Sequence, residues 1–338
     1  MAAVNVHETT LKSIADKTVL ITGAAGGIGA QLVQQFASRG ANVVVVDLEY
    51  ARAPAEALIA SLPEPSRAVF IPTDIMDWAQ MKDLYKQAIS KFGSIEMVIA
   101  NAGVMESNNG MDMDDVDGSG ELNEATELNR VIDINLKGTL NSKSLPSSQI
   151  RNSFCEHTAN LVSTAVRLAM FHMKNNKPSF PDGKKGSILL NISFSGYFGA
   201  TGVAGYISSK HGMTGLLRAS QIHAAKYDIR LNGVAPFFTP SNMTNNFAAE
   251  WDKRGLQKNT QQGLAEFMMN LTADHTKQGA CYIVCGNIVR EMEASRKQLV
   301  PQWLGEDAAD LMAKAGQLFV DIGGYPYPKL AAMSETMK

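Results

Sequence analysis

Thr18-Val19-Leu20-Ile21-Thr22-Gly23-Ala24-Ala25-Gly26-Gly27-Ile28-Gly29 runs from apolar, β-branched residues straight into a glycine-rich turn. From Ile28 to Ser38 the pattern becomes helical, so the stretch reads as strand, turn and helix. That context gives the glycines a physical task. Gly23 permits the tight turn, and Gly27 and Gly29 remove side chains where backbone would meet a pyrophosphate. The helix start supplies free N–H groups and the positive end of a dipole. A dinucleotide site built on Thr22, Gly23, Gly27, Ile28 and Gly29 is therefore expected.

Outward from this stretch, apolar runs recur at 42–47, 68–72, 97–100, 187–192, 229–234 and 280–284. Such runs, apolar on both faces, suit buried parallel strands. Helix-period segments such as 27–38, 78–92 and 203–226 separate them and are long enough for crossovers. The alternation predicts a doubly wound α/β fold, a parallel sheet of about seven strands with helices on both faces. Asp47 closes the second run, 18 residues beyond Gly29. An acid there accepts the hydroxyls of an adenosine ribose and repels a ribose 2′-phosphate, by roughly 4 kcal/mol per unit charge pair at about 4 Å and an effective dielectric near 20. NAD is thus expected over NADP, with Arg52 read as a solvated cation.

The chemistry sits further on. Ser193 lies 13 residues before Tyr206, and Lys210 lies four after it. Tyr206 and Lys210 at i and i+4 share a helix face. Oxidising a secondary alcohol requires a base for the hydroxyl proton. A free phenol, with a pKa near 10, is only about 0.1% ionised at pH 7, so a useful one needs roughly 4 kcal/mol of charge stabilisation. Lys210 is an expected source of it, the positive ring of an oxidised nicotinamide adds to it, and Ser193 is the donor that steadies the substrate oxygen.

These residues together resemble the short-chain dehydrogenase/reductase family, in the branch with a Thr-Gly-x-x-x-Gly-x-Gly loop and Tyr-x-x-x-Lys. The resemblance spans about residues 16 to 290 and takes in Asp74, Asn101-Ala102-Gly103, Asn135, Ser193, Tyr206 and Lys210. The turn from Tyr206 to Gly212 is similar to that of 15-hydroxyprostaglandin dehydrogenases and fungal secondary-metabolism dehydrogenases. It implies a Rossmann-type fold and an NAD(P)-dependent interconversion of a secondary alcohol and a ketone. It also implies Asn135, Ser193, Tyr206 and Lys210 as the catalytic set. Asp74, Asn101, Ala102, Gly103, Tyr206, Lys210, Pro236 and Ser241 join the glycine loop and Asp47 as cofactor contacts. The chain departs from the family in having Pro236-Phe237 where Pro-Gly is usual, and Ser241 where a threonine is frequent. A homodimer or homotetramer is the assembly implied. Tyr197, Phe198, Phe237, Phe238, Met243 and Phe247 would line an apolar cleft, so the expected substrate is a hydrophobic small-molecule alcohol or ketone.

A net charge of -2 over 338 residues, without a basic run, argues against a nucleic-acid partner. The composition, 45% hydrophobic and 19% charged, supports a large core without staples. Three cysteines, Cys155, Cys281 and Cys285, fit a reducing compartment, and no window suits a membrane helix or a signal peptide. A cytoplasmic protein without a metal site is expected. Asp115, Asp117, Gly118 and Glu124 have calcium-loop spacing, but Met113 falls at the first ligand position, so residues 111–127 read as a solvated loop. Residues 141–164 interrupt a helical pattern that resumes at Ala165, as an inserted excursion or translated non-coding sequence would. The organisation expected is one dehydrogenase domain over 1–294, carrying that insertion, and an extension over 295–338. If the insertion disables the site, the alternative is a silent NAD-binding module; a methyltransferase on a similar sheet leaves the Tyr-Lys pair without a role.

Overall fold

The computed structural model describes residues 11–137 and 165–327, so the inserted segment at 141–164 lies outside the described residues. Seven strands are β1 (Thr18–Thr22), β2 (Asn42–Asp47), β3 (Ala68–Pro72), β4 (Met97–Ala100), β5 (Gly186–Asn191), β6 (Ile229–Pro236) and β7 (Cys281–Cys285). They form parallel pairs in the order β3-β2-β1-β4-β5-β6-β7. An eighth strand, β8 (Ile288–Glu291), extends the edge beyond β7. It was not expected, because its four residues are half-exposed and carry no apolar run. Gly286, at φ +57, makes the turn into it.

Strand burial follows from layering on both faces. All five residues of β1 are buried, as are Val43 to Val46 in β2. On one face Val19, Ile21, Val43 and Val45 share a core with Leu32, Val33 and Phe36 of the helix Gly27–Ser38, and with Leu264, Met268 and Met269 of the helix Gln261–Ala273. The other face is covered by the helices Trp78–Phe92 and Ala165–Met173, where the buried Tyr85 hydroxyl donates to the Ala165 carbonyl at 2.9 Å. The helical stretch expected at 203–226 is two helices, Ala204–Ala219 and Gln221–Lys226, separated at Ser220. Cys281 and Cys285 are free thiols in β7.

Strand order reverses between β1 and β4, and a crevice lies at their carboxyl ends, the usual ligand position in open α/β sheets. Among the described residues, those up to Arg290 form one compact unit, and those from Glu291 through Tyr327 belong to a second. The second unit consists of the helices Glu293–Leu304 and Glu306–Asp321, joined at Gly305, whose φ is +88. Among the described residues no helix is long and apolar enough to cross a membrane.

Candidate active site

The crevice is a cavity of about 1430 Å³ at the carboxyl ends of the strands. The glycine loop forms one end of it. Gly23 takes φ +63, and a Cβ there would come within 2.8 Å of the Ala102 Cα; a Cβ on Gly29 would overlap the Gly23 carbonyl. Both glycines are therefore needed by the fold itself. All four loop glycines line the cavity, and Gly26 and Gly27 have open space where a Cβ would stand; Gly27 takes φ +55, which favours glycine, whereas Gly26 has an ordinary φ of -153. Gly26 precedes the helix Gly27–Ser38 without side-chain capping, which leaves the first-turn N–H groups for an anion. A cradle of bare backbone at a positive helix end fits a pyrophosphate.

Thr22 does not line the cavity. Its hydroxyl accepts from the Asn101 and Ala102 N–H groups, both at 3.1 Å, and Asn101 Nδ2 donates to the Thr22 and Gly23 carbonyls, both at 3.0 Å. Thr22 thus fastens the loop after β4 to the glycine loop from behind. Asp47 and Asp74 both line the cavity. Asp47 is held by the N–H groups of Ala25 (3.1 Å) and Leu48 (2.9 Å), and Asp74 by that of Met76 (2.9 Å). Arg52 pairs with Glu49 at 2.6 Å and Glu56 at 3.1 Å.

At the other end stand Ser193, Tyr206 and Lys210. The helix Ala204–Ala219 carries the last two on one face, with Lys210 Nζ 5.5 Å from the Tyr206 ring centroid. Lys210 is 4% exposed, and its ammonium donates to the Asn191 carbonyl at 2.9 Å. Burial lowers its pKa to about 8, so at pH 7 it remains mostly charged. Ser193 bonds the Tyr206 phenol and also accepts from the Ser195 N–H at 3.1 Å. The phenol's pKa is raised: burial is the largest cause, the Ser193 hydrogen bond opposes it, and the Glu106 charge adds to it. An acidic phenol was expected with both the Lys210 ammonium and the positive ring of an oxidised nicotinamide beside it; in the free protein desolvation of the charged form is the largest cause and leaves the phenol raised.

Asn135, 1% exposed, stands behind the cavity wall in a π-helical turn, Asp133–Lys137. Its Oδ1 accepts from Val104 N–H at 2.7 Å, and its Nδ2 donates to the Val104 carbonyl at 2.7 Å and Ser209 Oγ at 3.1 Å. Gly103 completes the junction: a Cβ there would lie 3.2 Å from Asn135 Oδ1 and 3.6 Å from Lys210 Nζ. Ala102, Gly103, Ile28, Pro236 and Ser241 all line the cavity, and Ser241 is tied to Thr244 through its N–H at 2.9 Å.

The remaining wall is aromatic. Phe194 stacks on Phe198 at 4.6 Å and tilts against Phe237 at 4.4 Å; Trp251 stands 5.4 Å from Phe237 and 4.6 Å from Phe238, which lies 5.1 Å from Phe247. Met243 joins this lining, whereas Tyr197 lies outside it, with its ring 5.8 Å from the Arg218 guanidinium carbon. Sequence reasoning missed Phe194, Trp251 and Glu106. Phe194 was legible as the neighbour of Ser193, but nothing local marks Trp251, which arrives from the helix Asn245–Lys253.

The family model for short chain dehydrogenase matches residues 17–153 and 145–252. The chain belongs to the short-chain dehydrogenase/reductase family, oxidoreductases acting on CH–OH groups with NAD(P). Short-chain dehydrogenase reductase 3b of Arabidopsis thaliana is 29% identical over 272 residues, covering 80% of this chain and 90% of that one. Short-chain dehydrogenase/reductase prx4 of Penicillium roqueforti is 29% identical over 239 residues, covering 71% of this chain and 59% of its own length. The fold matches the crystal structure of 3-ketoacyl-(acyl-carrier-protein) reductase from Brucella melitensis complexed with NADH. There the TM-score is 0.63 at 22% identity, over 81% of this chain and 98% of that chain.

Proposed function

We propose that the protein is an NAD-dependent dehydrogenase that interconverts a hydrophobic secondary alcohol and its ketone, with Tyr206 as the acid-base group. The observation that carries this is the meeting of Ser193, Tyr206 and Lys210 at the cavity that also holds the bare glycine cradle. Bound NAD supplies the hydride acceptor. Gly23, Gly26, Gly27 and Gly29 shape its pyrophosphate seat, Asp47 takes the adenosine ribose, and Asp74, Asn101, Ala102, Gly103, Pro236 and Ser241 complete the cleft. The Asp47 carboxylate, on cavity-lining backbone, supports NAD over NADP.

In oxidation the alcohol proton passes to the Tyr206 phenolate oxygen while Ser193 donates to the same substrate oxygen. Lys210 stabilises the phenolate from the same helix face. Asn135 keeps the wall beside Lys210 in place by fastening Val104 and Ser209. The aromatic wall, from Phe198 through Phe194, Phe237, Trp251 and Phe238 to Phe247, favours an apolar substrate over a charged one.

The test is a panel of apolar secondary alcohols and ketones assayed with NAD and NADP, alongside calorimetric NAD binding. Tyr206→Phe is expected to lower turnover by about 10²- to 10⁴-fold, the usual contribution of a positioned acid-base group, with NAD affinity retained. Full turnover in that variant refutes the assignment, and NAD binding without any turnover in the wild type favours a silent module.

A further inference from the structure

Helix Ala204–Ala219 begins without a cap of its own. Val203 precedes it and offers no side-chain acceptor, so the first-turn N–H groups need partners from elsewhere. Glu106, about a hundred residues away in sequence, supplies both. The Gly205 N–H donates to its Oε1 at 2.8 Å and the Tyr206 N–H to its Oε2 at 2.9 Å. This carboxylate is only 7% exposed, in a loop that otherwise follows the apolar pair Val104-Met105. A buried charge held by no cation, but by two N–H groups at a helix start, interacts favourably with the dipole. Gly205 allows the approach of the neighbouring helix Thr126–Ile132, since a Cβ on it would lie 3.0 Å from the Leu128 carbonyl oxygen.

We propose that Glu106 is a positioning residue for Tyr206: its two oxygens clamp the first turn of the helix and so fix where the phenol stands relative to Ser193 and the cavity. The inference rests on Tyr206 being the acid-base group. Glu106 does not itself line the cavity, so it acts through the backbone of residue 206 and through its charge. That charge is one cause of the raised phenol. The other ionisable groups on elements around the phenol are Lys210, His211 and Arg218 on its own helix, Glu127 and Arg130 on the helix Thr126–Ile132, and Asp133 with Lys137 in the π-helical turn. Arg230 on β6 and His223 with Lys226 on the helix Gln221–Lys226 complete the set. Glu127 is occupied by Ser107 and Asn108, Asp133 and Lys137 pair with each other, and Arg230 pairs with Asp182. Glu106 is thus the carboxylate bonded to the backbone of residue 206 itself.

The experiment is an ultraviolet difference titration of tyrosinate in the full chain. Wild type minus Tyr206→Phe isolates residue 206; Glu106→Gln minus the Glu106→Gln/Tyr206→Phe double variant isolates it without the charge. Glu106→Gln is expected to move the titration to lower pH by about one unit, a tenfold change in ionisation constant. In the presence of NAD and 2-decanol, kcat is expected to fall at least tenfold while the NAD dissociation constant stays within twofold. An unmoved titration with wild-type kcat overturns the proposal. Should Glu106→Gln not fold, Glu106→Asp keeps the charge but is too short to meet both N–H groups. It is expected to leave the titration in place and lower kcat, and a wild-type kcat there overturns the proposal equally. Wild-type turnover in Tyr206→Phe would sink the assignment of the base instead, so the two failures are separate.

Discussion

Replacing Lys210 with methionine should make the folded protein more stable while abolishing its chemistry. Lys210 is 4% exposed, and its pKa falls from 10.5 to about 8 through burial. A difference of about 2.5 units corresponds to roughly 3 kcal/mol by which the charged form is disfavoured on folding. Methionine keeps the unbranched stem and drops the charge, at the loss of the 2.9 Å bond from the charged ammonium to the Asn191 carbonyl, about 2 kcal/mol. The variant should therefore be more stable by about 1 kcal/mol at pH 7. Below pH 8 the lysine is charged in both folded and unfolded chains, and the folded one bears the full cost. Between about pH 8 and 10.5 the folded protein gives up the proton while the unfolded chain retains it, so the wild type gains stability and the gap closes. The raised Tyr206 phenol acts in the opposite sense, but only near and above pH 10, where the phenol of the unfolded chain ionises. Urea unfolding of both proteins across this pH range measures the gap directly. A variant no more stable than the wild type at pH 7, or a gap that does not narrow towards pH 10, refutes the reasoning.

The two kinds of glycine in the cofactor loop should separate on substitution. Gly26→Ala, whose Cβ meets nothing and whose φ of -153 suits any residue, should keep its unfolding midpoint yet bind NAD at least tenfold more weakly by calorimetry. Gly29→Ala should instead lose stability by several kcal/mol, read by urea unfolding, because its Cβ overlaps the Gly23 carbonyl. Asp47→Ser should raise the NADP-to-NAD ratio of kcat/KM at least tenfold, since it removes a carboxylate that would face the 2′-phosphate. With the phenol raised and protonated at neutral pH, ketone reduction should hold steady near pH 7 and decline at alkaline pH. Alcohol oxidation should climb over the same range, as kcat/KM profiles in both directions will show.

Much of the sheet was legible because parallel strands buried on both faces must be apolar throughout. β1 to β4 fall at the residues where the runs begin and end. The differences lie elsewhere: β5 and β7 each sit one residue from the expected run, β6 continues through buried Ala235 to Pro236, the long helix breaks at Ser220, and half-exposed β8 carries no apolar signal at all. The site was legible where its members share a local element, as in the glycine loop or Tyr206 with Lys210. It was not where tertiary structure alone brings residues together. Trp251 reaches the aromatic wall from a helix with no buried residues, and Glu106 meets Tyr206 only because the loop after β4 crosses the start of another helix.

The same distinction explains why the phenol came out differently from expectation. Sequence spacing records that an ammonium stands near a phenol, but not how dry the place is where they meet. Burial disfavours every charge there, so it lifts the Tyr206 phenol and lowers the Lys210 ammonium, moving both toward neutrality. Lys210 keeps its charge at pH 7 because its pKa stops near 8, and the Asn191 carbonyl receives its proton. Tyr206 keeps its proton chiefly because burial raises it, and the carboxylate that caps its helix adds a smaller share. The backbone clamp and part of the phenol's reluctance thus come from one residue. A neutral cap would make the phenolate easier to form but would leave a helix N–H group without its acceptor, so removing the charge at residue 106 alters the acidity of the base and its placement together, whereas shortening the side chain alters placement alone.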